Sequence, residues 1–98
     1  MLHIVNKSPT AAPALSSALR LSGKGALLLI EDAVYAATLG SPAEAELRKA
    51  QDRLKVYALA PDLEARGMAD RVSDGVTLID YDGFVDLVVE HSSCQSWL

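Results

Sequence analysis

The stretch LKVYALAPDLEARG, residues 54–67, decides the fold of this chain. Its first part, Leu54 to Leu59, is a largely apolar run of strand length, which is typical of a strand buried on both faces. Its second part, Pro61 to Arg66, predicts a short helix that Gly67 ends. A strand followed at once by a helix is the unit of layered α/β proteins, so this stretch predicts a parallel sheet with packed helices.

Three other segments have the same strand character. They run from Leu2 to Asn6, from Ala26 to Ile30 and from Val76 to Ile79. Each is rich in Leu, Ile, Val or Ala, and segments with helical periodicity separate them. The chain has 98 residues, of which 50% are hydrophobic. This is enough for one core, so we predict a single α/β domain over residues 1–98.

Two of the helices carry clear boundary signals. The first is predicted to begin near Pro13 and to end in the turn at Gly23. The second is predicted to open at Ser41 as its N-cap, with Pro42 at the first position and Glu44 completing a capping box. Its predicted core-facing residues are Ala43, Leu47, Ala50 and Leu54.

A last helix is predicted from Asp82 to Glu90, after the fourth strand. Asp80 and Asp82 are expected to cap its amino end, because a carboxylate there accepts hydrogen bonds from unpaired backbone N–H groups. The predicted core face of this helix comprises Phe84, Leu87, Val88 and His91.

The charge of the chain argues against direct contact with nucleic acid. Nine Lys and Arg residues stand against thirteen Asp and Glu residues, for a net charge of -4. Phosphate binding depends on clustered Lys and Arg, which this balance does not favour. The sequence also shows no secretory signal and no apolar run near the ~20 residues of a membrane helix. With a single cysteine, Cys94, these features predict a cytoplasmic protein without disulfides.

In an open parallel sheet, ligands gather beyond the carboxyl ends of the strands, so the residues after each strand are candidate site residues. Here they are Lys7 and Ser8, Glu31 and Asp32, Ala60 to Asp62, and Asp80 to Asp82. Glu31 and Asp32 could share a proton in acid/base chemistry, or hold a hard cation together with Asp80. Alternatively, Asp32 caps a helix that begins at the next residue and Glu31 is solvated. Lys7 and Ser8 could bind an anion or simply begin a turn.

The remaining candidates are aromatic. Tyr35 and Tyr81 follow the second and fourth strands, and we include them in the predicted crevice or in an interface beside it. Trp97 is expected to anchor the C-terminal residues, either in the chain's own core or against another subunit. No cofactor and no metal are expected, because dinucleotide and phosphate-loop motifs are missing and His91 with Cys94 offers too few ligands.

Several short motifs, taken in order, resemble one family over essentially the whole chain. They are Met1-Leu2-His3, Lys7-Ser8-Pro9, Glu31-Asp32, Lys55 to Leu59 with Asp62 to Gly67, Asp80-Tyr81 with Phe84-Val85, and Gln95 to Leu98. Their order and spacing resemble the TusB/DsrH family. The resemblance implies a three-layer α/β/α fold with a five-stranded parallel sheet in the order 4-3-2-1-5, in which the C-terminal tail is an edge strand.

The same resemblance implies a subunit of an assembly. TusB-like chains assemble with TusC-like and TusD-like paralogues, two copies of each, and the complex relays persulfide sulfur toward 2-thiolation of the tRNA wobble uridine. Contact with tRNA would then be indirect. A DsrH-type subunit of a DsrEFH complex in cytoplasmic sulfur oxidation is the alternative that the family offers.

The sulfur-accepting cysteine of the family is missing from this sequence. In the catalytic paralogue, the resemblance places it between the third strand and an Arg-Gly pair like Arg66-Gly67, whereas residues 57–62 here contain none. Cys94 is predicted to lie far from the crevice, so the chain is predicted to be a non-catalytic subunit. Two other classes stay open: a free-standing acid/base enzyme using Glu31 and Asp32, and a homodimeric binding module.

Overall fold

The computed structural model describes residues 1–8, 10 and 13–97, and its centre is a five-stranded sheet. The strands are β1 (Leu2–Val5), β2 (Gly25–Leu29), β3 (Leu54–Leu59), β4 (Val76–Ile79) and β5 (Cys94–Trp97). All neighbouring strands pair in parallel, in the order β4-β3-β2-β1-β5. The predicted strands and the implied order are therefore confirmed, including β5 as the edge strand beside β1.

Helices connect the strands. They are α1 (Ala14–Leu21), α2 (Glu44–Ala50), α3 (Ala60–Ala65) and α4 (Tyr81–Glu90), and a 3-10 helix spans Glu31–Ala37. Gly67 follows α3 with a φ of 68°, a left-handed conformation that favours glycine and ends the helix as predicted.

The start of α2 differs from its prediction. The helix begins at Glu44, and residues 42 and 43 form a turn before it. Ser41 Oγ accepts a hydrogen bond from the backbone N–H of Ala43 at 3.1 Å, while Glu44 Oε1 accepts from the N–H of Gly40 at 3.4 Å. The predicted capping box is wrong, because the Ser41 side chain closes a tight local turn instead of reaching the N–H of Glu44.

The order of the strands decides on which face each helix lies. From β1 to β4 the chain moves across the sheet in one direction, and right-handed crossovers then place α1, α2 and α3 on one face. The chain must reverse direction to add β5 beside β1, so the crossover through α4 places that helix on the opposite face. Helices therefore cover both faces, as the three-layer fold requires, but they cover them unequally.

The two faces bury cores of different size. The strand residues buried under α1 to α3 are Val5, Leu27, Leu29, Leu54, Val56 and Ala58. They pack against buried residues of the helices, among them Leu15, Leu19, Leu47 and Leu63. The buried cluster on the opposite face consists of Leu2, Ala26, Leu28 and Leu87. One face thus carries most of the buried apolar surface, and α4 contributes a single buried side chain to the other.

α4 is capped as predicted but turns a different side toward the sheet. Asp80 accepts a hydrogen bond from the N–H of Gly83 at 2.8 Å, whereas Asp82 lies within the first turn and is not the cap. Leu87 is buried and Phe84 packs beside it, but Val88 is exposed, so the predicted core face is wrong at Val88. The reason lies in the tertiary packing. A single helix on a sheet buries a narrower stripe of side chains than the apolar stripe that its sequence periodicity predicts.

Trp97 is anchored within the chain's own fold. It lies at the end of β5 opposite Val5, packs against the larger core, and its Nε1–H donates to Nδ1 of His3 at 3.1 Å. Because Nδ1 must accept this bond, His3 has to be neutral with its proton on Nε2. Burial of the ring lowers the pKa of His3, and the positive charges of the amino terminus and Arg53 lower it further. Of the two expected anchoring modes, these contacts correspond to the one within the chain's own core.

Acidification should therefore loosen the C-terminal strand. The pKa of His3 in the folded chain lies below its ordinary 6.5, so the unfolded chain takes up the proton first. The stabilisation is complete above pH 6.5 and is lost as the pH falls from there through the lowered folded-state pKa. Fluorescence of the single tryptophan during denaturation at pH 7.5 and pH 5 measures the effect. His3→Gln, which does not titrate, should lose this part of the pH dependence, and an unchanged profile would contradict the prediction.

Candidate functional site

The carboxyl ends of β2 and β3 bring acidic side chains together at the predicted edge of the sheet. β2 and β3 are neighbours, so the residues that follow them meet. The backbone N–H of Glu31, just after β2, donates to Oδ2 of Asp62, just after β3, at 2.6 Å. The edge predicted from the order of strands and helices is thus where these polar groups converge.

Arg66 holds this edge together. Its Nε and Nη2 both donate to Oδ1 of Asp32, at 3.0 and 2.8 Å, and its Nη1 donates to the carbonyl oxygen of Asp62 at 3.1 Å. We call Asp32, Asp62 and Arg66 the Arg66 cluster. It joins the 3-10 helix after β2 to α3 after β3, so one guanidinium ties two neighbouring connections.

Asp32 therefore has a different role from the predicted one. The 3-10 helix begins at Glu31, and Ile30, at its N-cap position, makes no side-chain capping bond. Asp32 lies inside this helix rather than before it, and its carboxylate reaches out to Arg66 instead of back to the backbone. The capping prediction for Asp32 is wrong, whereas the solvated position predicted for the Glu31 side chain is confirmed.

The cluster further favours the cationic form of Arg66. Hydrogen bonding to Asp32 raises the pKa of the Arg66 guanidinium against the opposing effect of desolvation, and the charges of Asp32 and Asp62 raise it further. At the same time these carboxylates compensate its charge. A thiolate needs a nearby cation to lower its pKa, and here the cation beside the connection from β3 to α3 is already paired.

The backbone at Glu31 is held in an unusual conformation. Its φ is 50°, the left-handed region that non-glycine residues rarely occupy, at a cost on the order of 1 kcal/mol. The short hydrogen bond from its N–H to Asp62 accompanies this geometry. The position of the carboxyl edge is thus set by contacts between two connections rather than by local preference.

The other predicted site residues lie apart from the cluster. Lys7 is exposed, and Ser8 closes a local turn with Thr10, whose N–H donates to Ser8 Oγ at 3.3 Å. Pro9, the last residue of that motif, lies outside the described residues. Asp80 caps α4 and Tyr81 begins it with an exposed side chain. Over residues 1–8, 10 and 13–97, no three His, Cys, Asp or Glu side chains form a group able to hold a metal ion.

Tyr35 and Cys94 lie toward opposite edges of the sheet, the carboxyl edge and the amino edge. Tyr35 is half-buried in the 3-10 helix, three residues after Asp32 of the Arg66 cluster. Cys94 is exposed at the first residue of β5, where it pairs with Leu2 at the start of β1. Because these strands are parallel, Cys94 lies at the amino edge of the sheet and the Arg66 cluster at the carboxyl edge, as predicted.

The position of Asp62 after the third strand predicted it as a candidate residue, whereas Arg66 was predicted only as part of a strand-helix motif. A signal for their role was present, since Asp62 follows a strand next to the one that Glu31 follows, and Arg66 is four residues further along a helix. The pairing partner, Asp32, lies 34 residues from Arg66, so no local pattern could identify it. Among the described residues, no helix is long and apolar enough to cross a membrane.

Comparison with known proteins identifies relatives over the whole chain. A family model described as "DsrH like protein" matches residues 7–94. The Protein TusB of Escherichia coli O81 (strain ED1a) is 44% identical over 98 residues, covering 99% of this chain and 100% of that protein. Protein TusB of Escherichia coli (strain K12 / DH10B) is 43% identical over the same length.

Solved structures share the fold at lower identity. The crystal structure of the ychN protein from E. coli aligns with a TM-score of 0.82 at 21% identity, covering 97% of both chains. A protein of unknown function, MTH1491 from Methanobacterium thermoautotrophicum, aligns with a TM-score of 0.76 at 17% identity, covering 97% of this chain and 95% of that one. At these identities the likeness concerns the arrangement of strands and helices.

Proposed function

The chain belongs to the DsrH-like protein family, and from this premise we propose that it is a non-catalytic subunit of a TusBCD-like sulfurtransferase complex. The complex would relay persulfide sulfur toward 2-thiolation of the tRNA wobble uridine. The observation that carries the non-catalytic assignment is the Arg66 cluster, in which Arg66 at the end of α3 is paired with the carboxylates of Asp32 and Asp62 and which contains no thiol.

Persulfide relay needs a reactive thiolate that a partner can reach. Such a cysteine requires a lowered pKa, which a free cation or a helix N-terminus supplies. Here Ala60, Pro61 and Asp62 begin α3, and Arg66 one turn later already carries Asp32. This geometry supports a subunit that stabilises and orients its partners while they carry the sulfur.

The partners we propose are TusC-like and TusD-like paralogues, with two copies of each subunit in a cytoplasmic heterohexamer. Contact with tRNA would pass through the complex, in keeping with the net charge of -4 on this chain. A reducing compartment suits this chemistry, because relay requires thiols that are not locked in disulfides.

Deleting the gene and measuring 2-thiouridine in bulk tRNA tests the proposal. We expect 2-thiouridine to be lost and to be restored by the wild-type chain supplied in trans. Co-purification with the TusC-like and TusD-like subunits should yield one species on sizing. Normal 2-thiouridine in the deletion strain, with sulfur oxidation impaired instead, would contradict this proposal and support the DsrH-type alternative. That alternative is favoured by the description of the matching family, "DsrH like protein".

The free-standing enzyme has less support. Its proposed acid/base pair, Glu31 and Asp32, would have to exchange protons, yet the Oδ1 of Asp32 accepts two hydrogen bonds from Arg66. The Asp32 carboxylate is thus engaged by Arg66. Enzymatic activity of the isolated chain that Asp32→Ala abolishes without unfolding would revive this alternative.

Cys94→Ser should leave both assembly and thiolation unchanged. The side chain is exposed at the amino edge of the sheet, so serine can replace it with little effect on stability, within about 0.5 kcal/mol. Complementation of the deletion strain with this variant, scored by 2-thiouridine content, measures the outcome. Lost thiolation in a complex that still forms would show that Cys94 carries sulfur and that the non-catalytic assignment is wrong.

A further inference from the structure

α4 exposes a continuous apolar stripe. Four side chains at positions i, i+4, i+7 and i+8 of the helix are solvent-accessible: Tyr81 by 60%, Val85 by 60%, Val88 by 41% and Val89 by 78%. With Phe84 they line an open groove of about 300 Å³. Half of the eight exposed large hydrophobic residues in the described chain lie on this one helix. Contiguous exposed apolar patches are typical of interaction surfaces.

An acidic row runs alongside the stripe. Asp82, Asp86 and Glu90 are exposed and four residues apart, so they line up along the helix. At roughly 100° per residue, this row borders the stripe on the side away from Phe84. No Lys or Arg occurs in the sequence after Arg71, so the row has no basic neighbour on its own element.

We propose that the α4 stripe, Tyr81, Val85, Val88 and Val89, docks a paralogous partner subunit through an apolar surface bordered by Lys or Arg. This inference rests on the proposed function and names the surface through which the subunit assembles. The apolar stripe would form the dry centre of the interface, and the acidic row would pair with the partner's basic border at its rim.

The acidic row also disfavours a second copy of this chain packed with its α4 antiparallel to the first. In a two-fold pair with antiparallel α4 helices, the two rows fall on the same side of the interface and repel each other. Exposed Tyr81 is of the residue type that most often dominates binding energy when a partner buries it. Charge and composition thus favour a basic, apolar partner over self-association.

The test uses the purified complex of the TusC-like and TusD-like subunits from the same organism, titrated with this chain. Val85→Asp and Tyr81→Ala should each weaken binding by about 30-fold or more, the loss expected at the centre of an interface. Asp86→Lys should weaken it by about 3-fold to 10-fold in low salt, with a smaller loss at high salt because screening removes rim attraction.

Leu21→Asp and Leu39→Asp are the matched controls. Both leucines are as exposed as the stripe, at 68% and 56%, but lie outside α4. These variants should bind as the wild type does. Unchanged thermal unfolding of every variant ensures that a loss of binding reflects the surface rather than the fold.

The outcomes separate the two proposals. Wild-type binding that Val85→Asp does not weaken more than Leu21→Asp overturns the docking surface and leaves the proposed function standing. A wild-type chain that binds neither paralogue overturns the proposed function, and the docking surface with it. A homodimer of the isolated chain that Val85→Asp dissociates would make a second copy the occupant and would also overturn the inference.

Discussion

Replacing Gly25 with alanine should lower the free energy of unfolding by about 2–4 kcal/mol, a large part of the stability of a domain of this size. Gly25 begins β2 with a φ of 137°, a conformation that residues with a Cβ rarely adopt. An added Cβ would lie 2.3 Å from the carbonyl oxygen of Met1. Because the neighbouring atom is backbone, no side chain can turn aside to relieve the contact.

The contact matters because it lies where two strands begin. The Met1 carbonyl accepts a hydrogen bond from the N–H of Ala26 at 3.2 Å. The N–H of Leu2, the residue after Met1, donates to the carbonyl oxygen of Ser93 at 3.0 Å. Moving Met1 away from a new methyl group would break the first bond and disturb the second. The midpoint temperature of thermal unfolding should fall by roughly 10–25 °C, because in a domain of about 100 residues each 1 kcal/mol of lost stability lowers it by several degrees.

Gly23→Ala is the matched control for this experiment. A Cβ at Gly23 would meet no atom within 4 Å, and its φ is not in the left-handed region. Alanine there should change the free energy of unfolding by about 0.5 kcal/mol or less. Equal losses in the two variants would mean that crowding at Met1 does not limit stability.

Replacing Arg53 with methionine should cost about 2 kcal/mol of stability. The Arg53 guanidinium caps the carboxyl end of α1. Its Nη1 donates to the carbonyl oxygens of Ser22 at 2.6 Å and Gly23 at 3.1 Å, and its Nη2 donates to the carbonyl oxygen of Leu19. The last carbonyls of a helix have no partner within it, and a cation also complements their partial negative charge. Charge-assisted bonds to such groups are stronger than neutral ones.

Chemical denaturation of Arg53→Met, Arg53→Lys and Arg48→Met measures this contribution. Lysine keeps the charge but not the forked geometry, so it should recover only part of the loss. Arg48 forms an exposed ion pair with Glu44 at 3.6 Å, which is expected to contribute about 0.5 kcal/mol or less. A loss at position 53 no larger than at position 48 would refute the capping role of Arg53.

Local patterns predicted most of the fold. The strands at Leu54–Leu59 and Val76–Ile79 match their predictions, and Gly67 ends α3. Both features can be predicted from adjacent residues, because a buried strand requires a run of apolar residues and a left-handed backbone conformation favours glycine. Family resemblance supplied the strand order and β5, whose polar sequence gives little strand signal. The errors at Ser41 and Val88 concern contacts that a helix makes with its surroundings, which periodicity does not describe.

The candidate site shows the same division. The sequence placed Glu31 and Asp32 at the carboxyl edge, since the residues that follow parallel strands meet at that edge. It did not identify Arg66 as the partner of Asp32, because residues 34 apart become neighbours only when β2 and β3 pair. The short bond from Glu31 to Asp62 has the same origin.

Adjacent residues are enough to identify this chain as a parallel α/β protein of the DsrH-like family with no cysteine between its third strand and Arg66. These are properties of composition, periodicity and motif order, which reside in neighbouring residues. Folding is needed to show that Asp32 binds Arg66, that Trp97 binds His3, and that α4 lies alone on one face with its apolar stripe uncovered. Side-chain pairing and exposure depend on which distant elements pack together. The strand order, including the reversal of chain direction before β5, determines which elements these are.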